Sequence, residues 1–511
     1  MKKNSVFISA LLISGLFILF GIFFNELIAN LTGAFLKITT EYFGWFYLLA
    51  TLVFLIYIVY LMFSKFGNLR LGKETDRPEY STVSWFSMLF SAGMGIGLVF
   101  WGVAEPIMHY TSPPYGEGNT DESANTAMMY TFFHWGLHPW AIYTFIGLSL
   151  AFFQYRKNLP GLISSIFSPI LGDRIYGPIG KTIDVLAIVA TIFGIATSLG
   201  LGALQITSGI NFLFDIPNNF TNQIIIIILL TLLFTGSAFV GIDRGMKVIS
   251  NTNILLAISL MIILIILGPT AQIFKVFTNT LGIYLDQFLY TSLRIPPIGD
   301  NSWVSSWTLF YWAWWIAWGP FVGSFIAKVS KGRTIKEFIL GVLIIPTLGT
   351  FFWFSTFGAS SLHLVHDLGN KVLVSAVNND VSVALFVFLE NFPGGFVLSL
   401  VFLLLIVTFF ITSADSATLV LAIFCSEGRL NPSRGIKITW GIALALISVV
   451  LLLSGSLETL QSASIAAAFP FTILMIIMCY TLYKALREEN AQIIIHSNKT
   501  ADQKEEKKEV V

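Results

Sequence analysis

The chain has 511 residues, 55% of them hydrophobic and only 11% charged, with a formal net charge of +1 and a mean hydropathy of +0.79. Soluble domains carry about 25% charged residues, so this composition excludes an ordinary water-soluble protein, although the length alone would suit two or three domains. The balanced charge gives no footprint for a nucleic-acid partner.

The chain opens with MKKNS and an apolar run. It resembles the start of a signal peptide but shows no small-residue cleavage site, so a retained first span is expected. Twelve runs long enough to cross a bilayer follow one another: 5–26, 45–64, 84–109, 126–153, 181–213, 223–241, 248–272, 301–328, 336–359, 382–423, 436–455 and 465–486. The expected fold is an all-α integral membrane protein with twelve transmembrane helices in contact with membrane lipid. Basic residues fill alternate loops: Lys65, Arg70, Lys73 and Arg77; Arg156, Lys157, Arg174 and Lys181; Arg244 and Lys247; Lys328, Lys331, Arg333 and Lys336; Arg429, Arg434 and Lys437. The intervening loops hold only Lys37, Lys275, Arg294 and Lys371, and one of them, YGEGNTDES (115–123), is acidic. The positive-inside rule therefore places both termini in the cytoplasm. Cys425 and Cys479 form neither a disulfide framework nor a metal spacing.

The third span contains AGMGIG, with Gly93, Met94, Gly95 and Gly97, and the eighth contains GPFVG (319–323). Glycine and proline there weaken a helix in mid-membrane. Two such spans, separated by five, fit an inverted repeat of five helices, each opening with a discontinuous helix. Close helix packing through small residues is the alternative. The expected division is residues 1–80 with two added helices, 81–275 as the first repeat, 276–300 as an amphipathic surface helix, 301–486 as the second repeat, and 487–511 as a cytoplasmic tail.

The fourth span carries FFHWGLHPWAIY (132–143) and the eighth FYWAWWIAWGPFVGSF (310–325). On a helix Trp135, Trp140 and Tyr143 fall within an arc of roughly 140°, while Trp314 and Trp318 share a face and Trp315 points about 100° away. Two facing helices would supply three or four rings around one volume. A quaternary ammonium suits such a cage because it has no hydrogen-bond donor, is weakly hydrated and is attracted by ring faces. An ordinary ammonium would leave donors unsatisfied. A packed core or an interfacial belt is the bland alternative for the same rings.

An unwound backbone at Gly93, Gly95 and Gly97 would offer N–H groups to a carboxylate and carbonyls to a cation. Sodium wants oxygen ligands; the tenth span offers Thr412 and Ser413, and the fifth offers Thr191, Thr197 and Ser198, though a back-bond to the helix is the ordinary fate of such hydroxyls. No carboxylate lies within AGMGIG, which favours a substrate that brings its own. Asp184, Asp415 and Glu105 are the intramembrane acids that stand out; Glu105, beside Pro106 near a span end, reads equally well as interfacial. His134 and His138 are expected to be satisfied histidines rather than metal ligands. Gly180-Lys181-Thr182 lacks the upstream glycine of a phosphate loop, since Ile175 stands there. No polar cluster suits a membrane enzyme, and a passive channel would not need a closed cage.

The stretches GMGIGLVFWGVAEP (93–106), FHWGLHPWAIY (133–143), LGLGALQI (199–206), FYWAWWIAWGPFVGSFIAKVSKGRTIKEF (310–338) and TSADSA (412–417) closely resemble the betaine/carnitine/choline transporter family, and glycine betaine uptake members above all. The resemblance implies a leucine-transporter-like five-plus-five inverted repeat with two extra N-terminal helices, a homotrimer, and a bacterial plasma-membrane location. It implies that Trp135, Trp140, Tyr143 and Trp315 box the trimethylammonium group, with Trp314 and Trp318 on the exit path and Phe325 near the box. One sodium site would draw on Ser91, Met94, Phe409, Thr412 and Ser413, and a second on Thr191 and Phe321. This chain departs from the sodium-coupled pattern at Ile195, where a second threonine is expected, and in its short, charge-balanced tail. The expected function is sodium-coupled symport of glycine betaine for osmoprotection, with no cofactor beyond sodium as coupling ion; a choline or carnitine carrier, proton-coupled or exchanging, is the alternative.

Overall fold

Each apolar run closes its own backbone hydrogen bonds, because a bilayer offers no water to do so, and the outcome is helix throughout. The structure, a computed structural model, describes residues 5–93, 95–240, 243–453 and 457–509, and their side chains apart from those of 90–93, 237–240, 243–248, 457–460 and 496–509. In chain order the helices are α1 (Ser5–Phe23), α2 (Asn25–Phe63), α3 (Thr82–Gly93), α4 (Ile96–Thr111), α5 (Asp121–Trp135), α6 (Leu137–Ala151), α7 (Ser168–Leu171) and α8 (Pro178–Phe214). They continue as α9 (Phe220–Val240), α10 (Asp243–Leu267), α11 (Thr270–Asp286), α12 (Phe288–Leu293), α13 (Ser302–Val304), α14 (Phe310–Val329) and α15 (Ile335–Leu362). The last are α16 (Lys371–Asn379), α17 (Ala384–Glu390), α18 (Gly395–Phe424), α19 (Arg434–Leu453) and α20 (Leu457–Glu509). Helix occupies every one of the expected runs, and among the described residues nine helical segments are long and apolar enough to cross a membrane.

Local chemistry sets the ends. α5 and α15 begin at capping boxes, Thr120 with Ser123 and Thr334 with Glu337, and α8 begins with Pro178, whose missing N–H has no partner to lose there. The run expected at 382–423 is two elements: α17 stops at Glu390, and Gly394, at φ 76, supplies the left-handed residue from which α18 starts.

The two glycine-bearing spans behave differently. Span three is broken as expected: α3 ends at Gly93, and α4 starts from Gly95 in extended conformation, φ −136 and ψ −165. Met94 lies outside the described residues, as do the side chains of Ser91 and Gly93. Span eight is not broken, contrary to expectation. α14 runs unbroken through Gly319 and Pro320. Its glycines serve close packing instead, since a Cβ at Gly319 would come 2.3 Å from Ile146 Cδ1, and one at Gly323 would come 2.7 Å from Ile146 Cγ2 and 3.0 Å from the Gly147 nitrogen. These two residues are a small-xxx-small pair that lets α14 lie against α6. α14 is the centre of the bundle, packed on α6, α8 and α20.

Loops from alternate connections meet on one face. The 65–77 loop pairs with 330–336 through Leu71 N–H to Arg333 O at 2.8 Å, Gly332 N–H to Leu71 O at 2.8 Å, and Arg70 Nη1 to Gly332 O at 2.9 Å. Arg156 reaches the same loop at Gly72 O, 3.0 Å, and pairs with Glu489 of α20 at 2.6 Å. The basic clusters are thus neighbours in space. The acidic 115–123 segment gathers elsewhere, with Arg294 over Tyr115 at 4.7 Å and His366 paired with Asp121 at 2.9 Å.

Candidate substrate site

α5 and α6 are separated by Gly136, at φ −95 and ψ −131. The helix therefore turns between Trp135 and Trp140, and the arc expected of one continuous helix does not apply. A side chain cannot fit at 136, where a Cβ would sit 2.5 Å from Phe132 O and 2.8 Å from the Phe351 ring. Pro139 has no N–H to offer the Trp135 carbonyl four residues before it, and Thr350 Oγ1 donates to that carbonyl at 2.8 Å. Leu137 N–H donates to Tyr284 Oη at 3.3 Å.

This turn aims Trp135 at α14. Trp135 meets Trp315 edge to face at 4.9 Å, Trp315 meets Tyr143 at 6.3 Å and 76°, and Tyr143 meets Trp140 at 5.7 Å and 80°. The four box residues thus form one unbroken run of ring contacts across α5, α6 and α14. Trp314 stacks on Trp315 at 4.7 Å and 14°. The indole N–H groups are tied down away from the ring faces: Trp315 donates to His134 O at 3.0 Å, Trp314 to Ser198 Oγ at 3.2 Å, and Trp318 to Gly194 O at 2.8 Å. Gly97 permits this crowding, because a Cβ there would lie 2.6 Å from Trp314 Cη2 and 3.2 Å from Trp135 Cη2.

The fourth indole has a partner that sequence reasoning misplaced. Trp135 Nε1 donates to Glu105 Oε2 at 2.7 Å, and Tyr311 Oη donates to the same oxygen at 2.5 Å. The other oxygen, Oε1, is bonded to His134 Nδ1 at 2.8 Å and His109 Nε2 at 3.2 Å. Glu105, His109 and His134 are each 0% exposed. Glu105 is therefore buried in the bundle, not interfacial, and it stands behind one wall of the box. The signal was present: Glu105 and His109 are one turn apart in α4, and His134 adjoins Trp135. The ligand atoms of Glu105, His109 and His134 lie within 4.8 Å of one another, and hydrogen bonds account for their approach. His134 Nε2 is bonded to Thr308 at 3.0 Å, and His138 is stacked on Trp312 at 5.1 Å and bonded to Ser292 at 3.0 Å. Asp184 caps Ser164, accepting from its N–H at 2.9 Å and its hydroxyl at 2.8 Å.

Beside the box, a cavity of about 840 Å³ reaches the face that carries the basic loops. Its wall includes Tyr80, Ser84 and Lys328 toward that face, and Gly95, Trp318, Phe321, Phe325, Thr412 and Ser413 deeper in. Trp318 and Phe325 thus line this cavity, whereas Trp314 is buried and stacked on Trp315.

The hydroxyls are less engaged. Thr412 Oγ1 donates to its own helix, to Thr408 O at 3.0 Å and Phe409 O at 3.2 Å, and accepts from Asn253 at 3.4 Å. Ser413 Oγ lies 4.0 Å from the Cβ position of Gly95, which places α18 against the break in span three. Thr191 donates to Ala187 O at 2.7 Å, and Ile195 is buried one turn later. Ser198, three residues after Ile195, accepts from Trp314. Phe321 is a cavity wall residue.

A family model described as BCCT, betaine/carnitine/choline family transporter, matches residues 5–491. The chain is 48% identical over 493 residues to the glycine betaine transporter OpuD of Bacillus subtilis, covering 96% of both chains. It is 45% identical over 492 residues to a probable glycine betaine transporter of Desulfitobacterium hafniense, covering 96% of this chain and 98% of that one. It is 39% identical over 471 residues to the osmo-independent choline transporter BetT1 of Acinetobacter baylyi, covering 90% and 89%.

Proposed function

The chain belongs to the betaine/carnitine/choline transporter family, a multi-pass membrane transporter and not an enzyme, and on that premise we propose that it takes up glycine betaine by sodium-coupled symport for osmoprotection. The observation that carries this reading is the run of rings Trp135–Trp315–Tyr143–Trp140, in which the indole N–H groups of Trp135 and Trp315 are bonded to Glu105 and to the His134 carbonyl. Faces without donors or acceptors suit a trimethylammonium group, worth about 2 kcal/mol or more when desolvated. The names of two relatives point to the same substrate. The substrate's own carboxylate would meet backbone N–H groups near Gly95 and Gly97 at the start of α4, the positive end of a helix dipole.

Sodium would be held by Thr412 and Ser413, which border the cavity at the break in span three. Backbone from the broken segment, with Phe409 O, would complete an oxygen set of the kind sodium needs. A second ion at Thr191 and Phe321 is the weaker part of the proposal, since Ile195 contributes no oxygen. Transport would proceed by alternating access around a fixed site. The cavity toward the basic face fits an inward-facing arrangement, with that face and both termini cytoplasmic by the positive-inside rule. The five-plus-five inverted repeat, a homotrimer and a bacterial plasma membrane belong to the same proposal.

The test is radiolabelled glycine betaine uptake into proteoliposomes with and without an inward sodium gradient, with choline and carnitine as competitors. Sodium-driven uptake that resists both competitors is the expected result. Uptake indifferent to sodium, or requiring internal substrate, would replace symport with exchange or proton coupling.

A further inference from the structure

The box is not electrically neutral at its back. Glu105 receives four bonds, two on each oxygen, from Trp135, Tyr311, His134 and His109. The indole N–H can only donate. A neutral histidine donates through one nitrogen while the other accepts, and His134 meets that condition, with Nδ1 on Glu105 and Nε2 3.0 Å from the Thr308 hydroxyl. A carboxylate that accepts this many bonds keeps its charge without water. The carboxylate of Glu105 is thus buried at the back of the box and bonded directly to the Trp135 indole. Among the described residues no arginine or lysine is bonded to it. Trp135 is bonded to it and meets Trp315 edge to face, so one ring of the run links the two.

We infer that Glu105 is the counter-charge of the aromatic box, acting through Trp135 rather than by touching substrate, and that it sets how the carrier ranks cationic against zwitterionic quaternary ammonium compounds. Two physical effects run the same way. Hydrogen bonding to a carboxylate pushes electron density into the indole, which deepens the negative face that attracts a cation. The charge itself acts across a low-dielectric interior. A monocation such as choline gains fully from both. A zwitterion gains less, because its carboxylate is repelled by the charge that attracts its ammonium. This inference rests on the substrate reading above and removes one of its supports: lack of an acid in AGMGIG does not by itself exclude choline, because an acid stands one ring away.

Glu105 is thus a positioning and polarising residue. A merely structural role would weaken all ligands together, so the informative readout is a ratio. Binding of choline and of glycine betaine is measured on the purified full-length carrier by tryptophan fluorescence, in wild type, Glu105→Gln and Glu105→Asp. Glu105→Gln is expected to weaken choline by about tenfold and glycine betaine by no more than about threefold, while Glu105→Asp keeps the wild-type ratio. Equal losses for both ligands, or none, would overturn the inference while leaving the box itself standing. A wild-type carrier that binds neither ligand would overturn the substrate reading, and this inference with it. If Glu105→Gln does not accumulate as a folded carrier, Tyr311→Phe decides the matter. It removes one donor, leaves more of the charge unscreened, and should move the ratio toward choline by about twofold; an unchanged ratio, or a shift toward betaine, would sink the idea.

Discussion

The two ends of the candidate site are built on opposite plans. At the box, Trp135 and Trp315 have the indole N–H bonded at 3.0 Å or less, and Trp314 and Trp318 beside it at 3.2 Å or less, with ring partners that hold them from several helices. At the hydroxyl end, Thr412 leans on its own helix, Ser413 borders open space, and the contact across to Asn253 is a long 3.4 Å. The difference suits the two ligands proposed. A methylated ammonium has no directional bonds to offer, so its discrimination must come from fixed surfaces that are already in place. A small cation exchanges water for oxygens, and hydroxyls that can leave a back-bond are available for that.

The comparison can be broken at either end. Trp315→Leu removes the ring at the middle of the run and should weaken glycine betaine binding by about 30-fold or more, corresponding to at least ~2 kcal/mol of lost cation–π stabilisation. Binding titrations on the folded variant check this, and an unchanged affinity would defeat the cage. At the other end, Thr412→Ala with Ser413→Ala should raise the sodium concentration for half-maximal uptake by about tenfold, while betaine affinity at saturating sodium changes little. Sodium dependence equal to wild type would remove that ion site.

Gly97→Ala sharpens the contrast in packing. The added methyl would press on Trp314 and Trp135, so a stability loss of about 1–3 kcal/mol and weaker betaine binding are expected, with sodium dependence intact. The smallest effect should come from outside both regions. Glu489→Gln removes the charge that pairs with the largely buried Arg156 and with Lys157 and should cost about 1–2 kcal/mol, with little dependence on salt. A melting-temperature series in rising salt tests it. A large change in sodium dependence from that variant would couple the tail to the site.

Much of this was legible in the residues. The apolar runs became helices, the AGMGIG glycines became the break between α3 and α4, and the two aromatic stretches meet in one run of ring contacts. Other expectations failed for identifiable reasons. Gly319 lies next to a proline and, with Gly323, read as a break, yet the two are the flat side of α14 that admits Ile146. The break that matters in span four lies at Gly136, which composition alone does not separate from a packing glycine. Glu105 read equally well as functional or interfacial because a single chain shows its neighbour Pro106 but not His134, 29 positions away, or Tyr311, 206 positions away.

The sequence by itself determined which segments are helical and membrane-spanning, which loops carry the charge, and which residue types could cage a methylated cation, because hydropathy and residue chemistry are local properties. The tertiary structure alone decided which glycines bend a helix and which let two helices touch. It also decided that a buried carboxylate stands behind the cage. Both depend on what an atom meets across the bundle, and that is fixed only when α4, α5, α6 and α14 are packed together.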